Sequence, residues 1–212
     1  GEAWQRNGVV QWVDGEPIDV AVRISGSGSR GARKRSFKLF AAEGAFTFAD
    51  GTEVNEAMLR ADAAPHAWLR NATLEELVRR HALHVEVQPS RTAPLYLNAA
   101  YWGLYRWMPG KDASWLRQRS GAEALDVLEG PAASALSGND AHYQRSLAML
   151  LRGAPVDSLE TMIDLGSLID LACMDLWTGR ADHELNVRCY RPREKGGRWR
   201  WVLYDMDLWA PA

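Results

Sequence analysis

Four residues near the end of the chain are of the types that handle phosphoryl groups. Asp182 and Asn186 stand four apart in Asp182-His183-Glu184-Leu185-Asn186, and Asp205, 23 positions after Asp182, is followed by Met206 and Asp207. Between the two acidic segments the sequence reads as a β-hairpin, going out over 185–191, turning over 193–197 and returning over 198–205. The pattern predicts an amide and three acids gathered at one end of a two-stranded ribbon. Phosphoryl transfer needs a set of this kind: a carboxylate at the attacking hydroxyl, and hard Asn and Asp oxygens to hold Mg²⁺. Asp and Asn also favour turns for their own sake, so hairpin capping is the alternative reading of the same residues.

A second group of residues could hold phosphates. Ser25-Gly26-Ser27-Gly28-Ser29-Arg30-Gly31 is followed by Arg33, Lys34, Arg35 and Lys38. Glycines let a backbone approach a ligand closely, and successive N–H groups form an anion-binding nest. In the strand around Phe37, Ser36 and Lys38 share one face while Phe37 and Leu39 share the other. Lys38 is then free to face a cleft. A solvated hairpin tip accounts for the serines and glycines equally.

The elements that must position these groups follow from patterning. Residues 9–48 read as strands: Asp14-Gly15 marks a hairpin, and Ile18, Val20, Val22 and Ile24 alternate as a half-buried strand does. Pro65 opens a helical pattern carried by Leu69, Leu74, Leu77, Val78 and Ala82. Residues 94–107 return to strand around an Asn98 turn, and helical patterns follow at 113–119, 140–151 and 167–177. A strand-rich first half and a helical second half closed by a metal-binding β-ribbon is an α+β arrangement. The expected organisation is one domain over 1–212, with lobes at about 1–108 and 109–212.

Composition excludes more than it identifies. A formal net charge of −2 over 212 residues gives no electrostatic case for nucleic acid. No apolar run approaches the roughly 18 residues of a membrane span, and no signal-peptide pattern is present. The chain opens on Gly1 rather than Met, as an excised piece would. Cys173 and Cys189 read as buried thiols, with one disulfide as the alternative. Trp102, Tyr105 and Trp107, like Trp199, Trp201 and Leu203, read as packing residues. His81 and His84 read as helix-end histidines favoured by the dipole, and His183 is a further candidate for substrate or nucleotide contact. No zinc-protease or Ser-His-Asp pattern occurs.

Four blocks, in order, resemble the CotH-type (spore coat protein H) atypical protein kinases. Arg23-Ile24-Ser25-Gly26-Ser27-Gly28-Ser29-Arg30 with Lys34-Arg35-Ser36-Phe37-Lys38-Leu39 resembles the family's R-x-x-G-N-S-S-R…K-K-S-[FY]-K-L segment. Leu69-Arg70-Asn71 resembles its L-R-N helix start. Leu95-Tyr96-Leu97-Asn98-Ala99-Ala100-Tyr101-Trp102-Gly103-Leu104-Tyr105 is similar to its L-Y-L-N-G-x-Y-x-G-L-Y hairpin, and Asp182…Asn186 with Trp201-Val202-Leu203-Tyr204-Asp205-Met206-Asp207 resembles its D…N…W-D-x-D ending.

The resemblance implies a divergent protein-kinase-like fold and transfer from ATP, with Mg²⁺ or Mn²⁺, to serine or threonine of a secreted or surface protein. By position it implies Asp182 as the catalytic acid and Asn186, Asp205 and Asp207 as metal residues. Ser27, Gly28, Ser29, Arg30, Lys34 and Lys38 would be nucleotide-binding. It favours a secreted or cell-envelope location. Departures are Ser27 for Asn, Gly28 for Ser, Tyr204 for Trp, and Pro109 where an acid is usual. The site lysine is therefore expected to lack its ion-pair partner. With the chain ending at Ala212, the family's further C-terminal helices are expected to be missing. Two other readings remain: transfer of a nucleotidyl group from the same ATP, and a non-catalytic interaction module that keeps the fold.

Overall fold

Alternation of Ile18, Val20, Val22 and Ile24 is realised as strand β2 (Ile18–Ser25), which pairs antiparallel with β1 (Gln5–Val10). The Asp14-Gly15 turn closes between them with the Gly15 N–H on Trp12 O at 3.1 Å. The computed structural model describes residues 4–26, 28–63 and 69–208. These fall into two compact units, Gly1–Trp68 with Gln88–Lys111, and Leu69–Val87 with Asp112–Ala212.

In the first unit β3 (Ser36–Ala41), β6 (Glu56–Arg60), β7 (Arg91–Leu97) and β8 (Ala100–Pro109) complete a six-stranded antiparallel sheet in the order β1-β2-β3-β6-β8-β7. A small hairpin of β4 (Phe46–Thr47) and β5 (Glu53–Val54) delivers aromatic cover. Phe46 meets the Trp107 ring edge-on at 5.2 Å, and Phe48 stacks on it at 5.5 Å. Tyr105 and Trp107 are core residues as the sequence indicates, whereas Trp102 is 47% exposed.

The second unit holds helices α1 (Arg70–Arg80), α2 (Ala113–Ser120), α3 (Ala141–Leu151), α4 (Val156–Glu160) and α5 (Leu165–Thr178). Three of them match the patterns at 113–119, 140–151 and 167–177. The Asp112 carboxylate caps α2 by accepting from Trp115 N–H at 2.9 Å, and Asp164 caps α5 through Ser167 N–H at 3.2 Å. The first helix begins at Arg70; Pro65 lies outside the described residues.

The expected two-stranded ribbon needs correction. Strands β11 (Arg188–Pro192) and β12 (Arg200–Trp201) do pair antiparallel. They form one side of a four-stranded sheet, β10-β9-β11-β12, with β9 (Leu125–Glu129) and β10 (Ser134–Ser137). Leu125, Asp126, Val127 and Leu128 are all buried, so no alternation marks that strand. The sheet packs into a core of Leu74, Val78, Leu171, Met174, Trp199, Trp201, Leu203 and Met206. Trp199, Trp201 and Leu203 are buried as expected. Both cysteines are free; Cys189 is buried, its thiol pushed up to about 12 by burial, but Cys173 is exposed, contrary to expectation.

The β7–β8 hairpin turns on Asn98 and Ala99, at φ 49° and 64°, with Leu97 opposite Ala100. Positive φ at both positions of a two-residue loop is the type I′ geometry that favours Asn-Gly. A Cβ in that region costs about 1–2 kcal/mol, and the greater freedom of glycine in the unfolded chain returns about 0.4–1 kcal/mol of that. Ala99→Gly is therefore expected to stabilise the protein by about 0.5–1 kcal/mol. A urea midpoint that fails to rise would show that the turn is not left-handed at Ala99.

Candidate functional site

Helix α5 ends where the acidic turn begins. Gly179 takes the left-handed conformation, φ 59°, that closes a helix. The next residue, Arg180, has a side chain withdrawn entirely from solvent, and its guanidinium lies 2.9 Å from Asp175 Oδ1. The same group donates to Tyr204 O at 2.7 Å and to Asn186 O at 3.4 Å. One charge thus ties together the helix end, the turn carrying Asp182 and the segment carrying Asp205.

Residues 182–186 make a single tight turn, with the N–H groups of Leu185 and Asn186 on Asp182 O at 3.0 and 3.1 Å. The four-residue spacing brings Asn186 against Asp182, and Asn186 Nδ2 donates to Asp182 Oδ2. The other carboxylate oxygen, Asp182 Oδ1, is buried without a hydrogen-bond partner among the described residues. Burial pushes the Asp182 carboxyl above its ordinary range; Arg180 opposes the shift and the charge of Asp205 adds to it. His183 spends Nδ1 on Arg180 O at 3.1 Å.

Asp205 sits at φ 51°, a conformation that non-glycine residues adopt at a cost and mostly where the surroundings impose it. Its neighbours do so. Tyr204 O is held by Arg180, and the Met206 side chain, 1% exposed, is an anchor in the core. Met206 N–H donates to Asn71 Oδ1 at 2.7 Å, and Arg70 Nη1 donates to Asp207 O at 3.1 Å. The Leu69-Arg70-Asn71 block therefore fastens the Asp205-Met206-Asp207 segment. Nothing local in the Leu69-Arg70-Asn71 sequence marks that role, which depends on a segment 135 residues away. Tyr204 is fixed as well: its OH lies 3.3 Å from Glu129 Oε1, and Arg188, paired with Glu129 at 2.6 Å, covers its ring at 4.5 Å.

Asp182, Asn186 and Asp205 are thus brought together, just beyond the strands of the sheet rather than on them. Among the described residues no group of three or more His, Cys, Asp and Glu side chains is arranged to hold a metal ion. The donors named for Mg²⁺ are two acids and an amide, which suits an ion that takes few protein ligands and fills its shell with water and phosphate oxygens. The unpartnered Asp182 Oδ1 and the repulsion between Asp182 and Asp205 are features that a cation nearby would relieve.

In the first unit, Gly28–Gly31 forms a 3-10 turn carrying Ser29 and Arg30, both exposed. Ser27 lies outside the described residues. Gly26 has φ 104°, and a Cβ there would lie 2.1 Å from Ser29 Oγ, so glycine is required for the turn to fold back. The two candidate lysines have different surroundings. Lys34 Nζ donates to Ala61 O at 2.8 Å and to Leu104 O, over the Tyr105 ring at 4.6 Å. Burial lowers its pKa, against the pull of Asp62. Lys38 Nζ lies 2.5 Å from Glu56 Oε1 on β6. Glu56 also lies beside the residue that follows Pro109: a Cβ on Gly110 would stand 2.7 Å from the same Glu56 oxygen. No local pattern in the sequence marks Glu56 as the neighbour of Lys38, because the two meet only through the pairing of β3 with β6.

Asp182→Asn is expected to raise thermal stability at pH 7, because the amide removes a buried charge and its repulsion from Asp205. The folded carboxyl titrates above the ordinary 3.8, so the ionised form costs stability at every pH above the raised value and costs nothing below 3.8. The gain should shrink as pH falls through that window. Melting temperatures of the two proteins across pH 3–7 test this, and a variant less stable at neutral pH would contradict it.

No curated protein matches the sequence significantly. The family model described as CotH kinase protein matches residues 22–210. That span contains both acidic segments, the serine-glycine turn and the Asn98 hairpin, and on this match the chain belongs to the CotH kinase family.

Proposed function

We propose that this chain is an ATP- and Mg²⁺-dependent kinase that phosphorylates serine or threonine of a protein substrate, secreted or surface-exposed. The observation carrying this reading is Asp182: one carboxylate oxygen held by Asn186, the other buried and unpartnered, on a group whose affinity for a proton is raised. Such an oxygen suits a substrate hydroxyl. It would orient the hydroxyl oxygen for attack on the terminal phosphorus and take its proton as the new P–O bond forms and the bond to the leaving phosphate breaks.

Asn186 and Asp205, with Asp207 beside them, are the residues proposed to hold the metal. Bound Mg²⁺ would neutralise charge on the phosphates. The strained backbone at Asp205 supports the assignment, since such conformations gather at functional sites. For the phosphates, Lys38 is the proposed cation, with Arg30 and with Ser27, Gly28 and Ser29. Lys34 is the weaker choice, because its ammonium is already engaged by two carbonyl oxygens and a ring. Lys38 has a carboxylate partner, as the phosphate-binding lysine of kinases does, but here it comes from the neighbouring strand rather than from a helix.

Calorimetric titration of ATP with Mg²⁺ or Mn²⁺, and again with chelator, tests the reading. The expectation is binding that requires the metal and is lost in Asp205→Ala. Asp182→Ala should bind ATP as the unsubstituted chain does while losing about 10³-fold or more in phosphorylation rate, as removal of a positioned base does. Unchanged ATP·Mg²⁺ affinity in Asp205→Ala would remove the metal assignment, and full turnover in Asp182→Ala would remove the catalytic one. No binding at all would favour an interaction module, and an AMP adduct on the product would favour nucleotidyl transfer.

A further inference from the structure

Helix α3 carries a second chemical feature, separate from the acidic segments. His142, Arg145, Ala148, Met149 and Arg152 recur at three- and four-residue intervals and share one face of the helix. With Met162 they line a cavity of about 370 Å³, within the range of about 300–1,000 Å³ that small-molecule sites occupy. None of the six lining residues is acidic. Arg145 and Arg152 are exposed, and neither forms a salt bridge among the described residues. The apolar part of the lining is two methionines and an alanine, side chains that adapt to a ligand's shape.

The histidine is set by the core behind it. Trp199, fully buried in the core, donates its indole N–H to His142 Nδ1 at 3.0 Å. An indole nitrogen can only donate, so Nδ1 is the acceptor and the proton of the neutral ring resides on Nε2. Burial first, then Arg191 and Arg145, keep His142 below the ordinary imidazole value, with Asp126 opposing. Asp126 is itself engaged by Arg191 at 2.7 Å and Arg193 at 2.8 Å. The lining thus combines a histidine whose ring is fixed from the core side, the guanidinium of Arg145, that of Arg152 with its Nε donating to Ala148 O at 3.0 Å, and an apolar part, with no carboxylate of its own.

From this geometry we infer that the α3 cavity is a binding site for a small organic anion, a carboxylate joined to an apolar body. The guanidinium groups of Arg145 and Arg152 would engage the carboxylate, and His142 Nε2–H would be a third donor. Met149 and Met162 would contact the apolar part. The site does not depend on phosphoryl transfer, and its test does not read activity.

Hexanoate is a suitable probe, titrated into the ¹⁵N-labelled full chain while the Trp199 indole N–H resonance is followed. That proton is bonded to His142, so it reports on the cavity from the core side. The expected result is a saturable shift with hexanoate and a much smaller effect from hexanol at the same concentration. Arg145→Gln and Arg152→Gln, both at exposed positions, should each weaken hexanoate about tenfold, as loss of a charge-assisted hydrogen bond does. A response to hexanol equal to that for hexanoate would mean an apolar cavity and overturn the proposal. So would a shift that fails to saturate, or hexanoate affinity unchanged in both arginine variants.

Discussion

A single buried cation organises the acidic end of this protein. Arg180 leaves helix α5 at a left-handed glycine and directs its guanidinium inward, where Asp175, Tyr204 O and Asn186 O receive it. Burying a guanidinium is costly unless its surroundings satisfy it, so these partners must come to it. Two segments that are far apart in sequence and rich in like charge are held side by side. Remove that charge, and Asp182 and Asp205 have a reason to separate. The arginine also offsets part of the electrostatic cost at Asp182, where burial and Asp205 both act against ionisation.

Support comes from the opposite side as well. Met206 enters the core between two acids, and Asn71 and Arg70 at the start of α1 capture the backbone around it. The alternation of acid, methionine and acid therefore has a mechanical meaning: the apolar residue sets the position of the segment and the flanking carboxylates are kept out of the core. Asp205 can hold a left-handed backbone because both neighbours are fixed independently.

What the sequence revealed and what it hid divide along physical lines. Strong local signals were readable: the Asp14-Gly15 hairpin, the alternating β2, the Asn98 turn, and three helices with polar residues at their starts. Asp182 and Asn186 could be paired from spacing, because four residues make one turn. Features that depend on tertiary neighbours were not readable. Strand β9 lacks alternation because it is covered on both faces, so the sheet looked like a ribbon. Arg180 resembled any arginine after a helix. Its importance lies in total burial, which no local pattern encodes. Lys34 and Lys38 are equivalent as letters and differ in what surrounds them: carbonyl oxygens and a ring for one, a carboxylate for the other.

The Lys38–Glu56 pair differs in kind from an ion pair made between a strand and a helix. Its partners stand on β3 and β6, hydrogen-bonded neighbours in one sheet, with Phe40 opposite Glu56 and Lys38 opposite Met58. No hinge lies between them. A helix can swing away and break such a contact, but neighbouring strands separate only if the ladder itself melts. In the proposed kinase the backbones that carry the lysine and its acidic partner are therefore fixed to each other, and no movement of a whole element separates the pair.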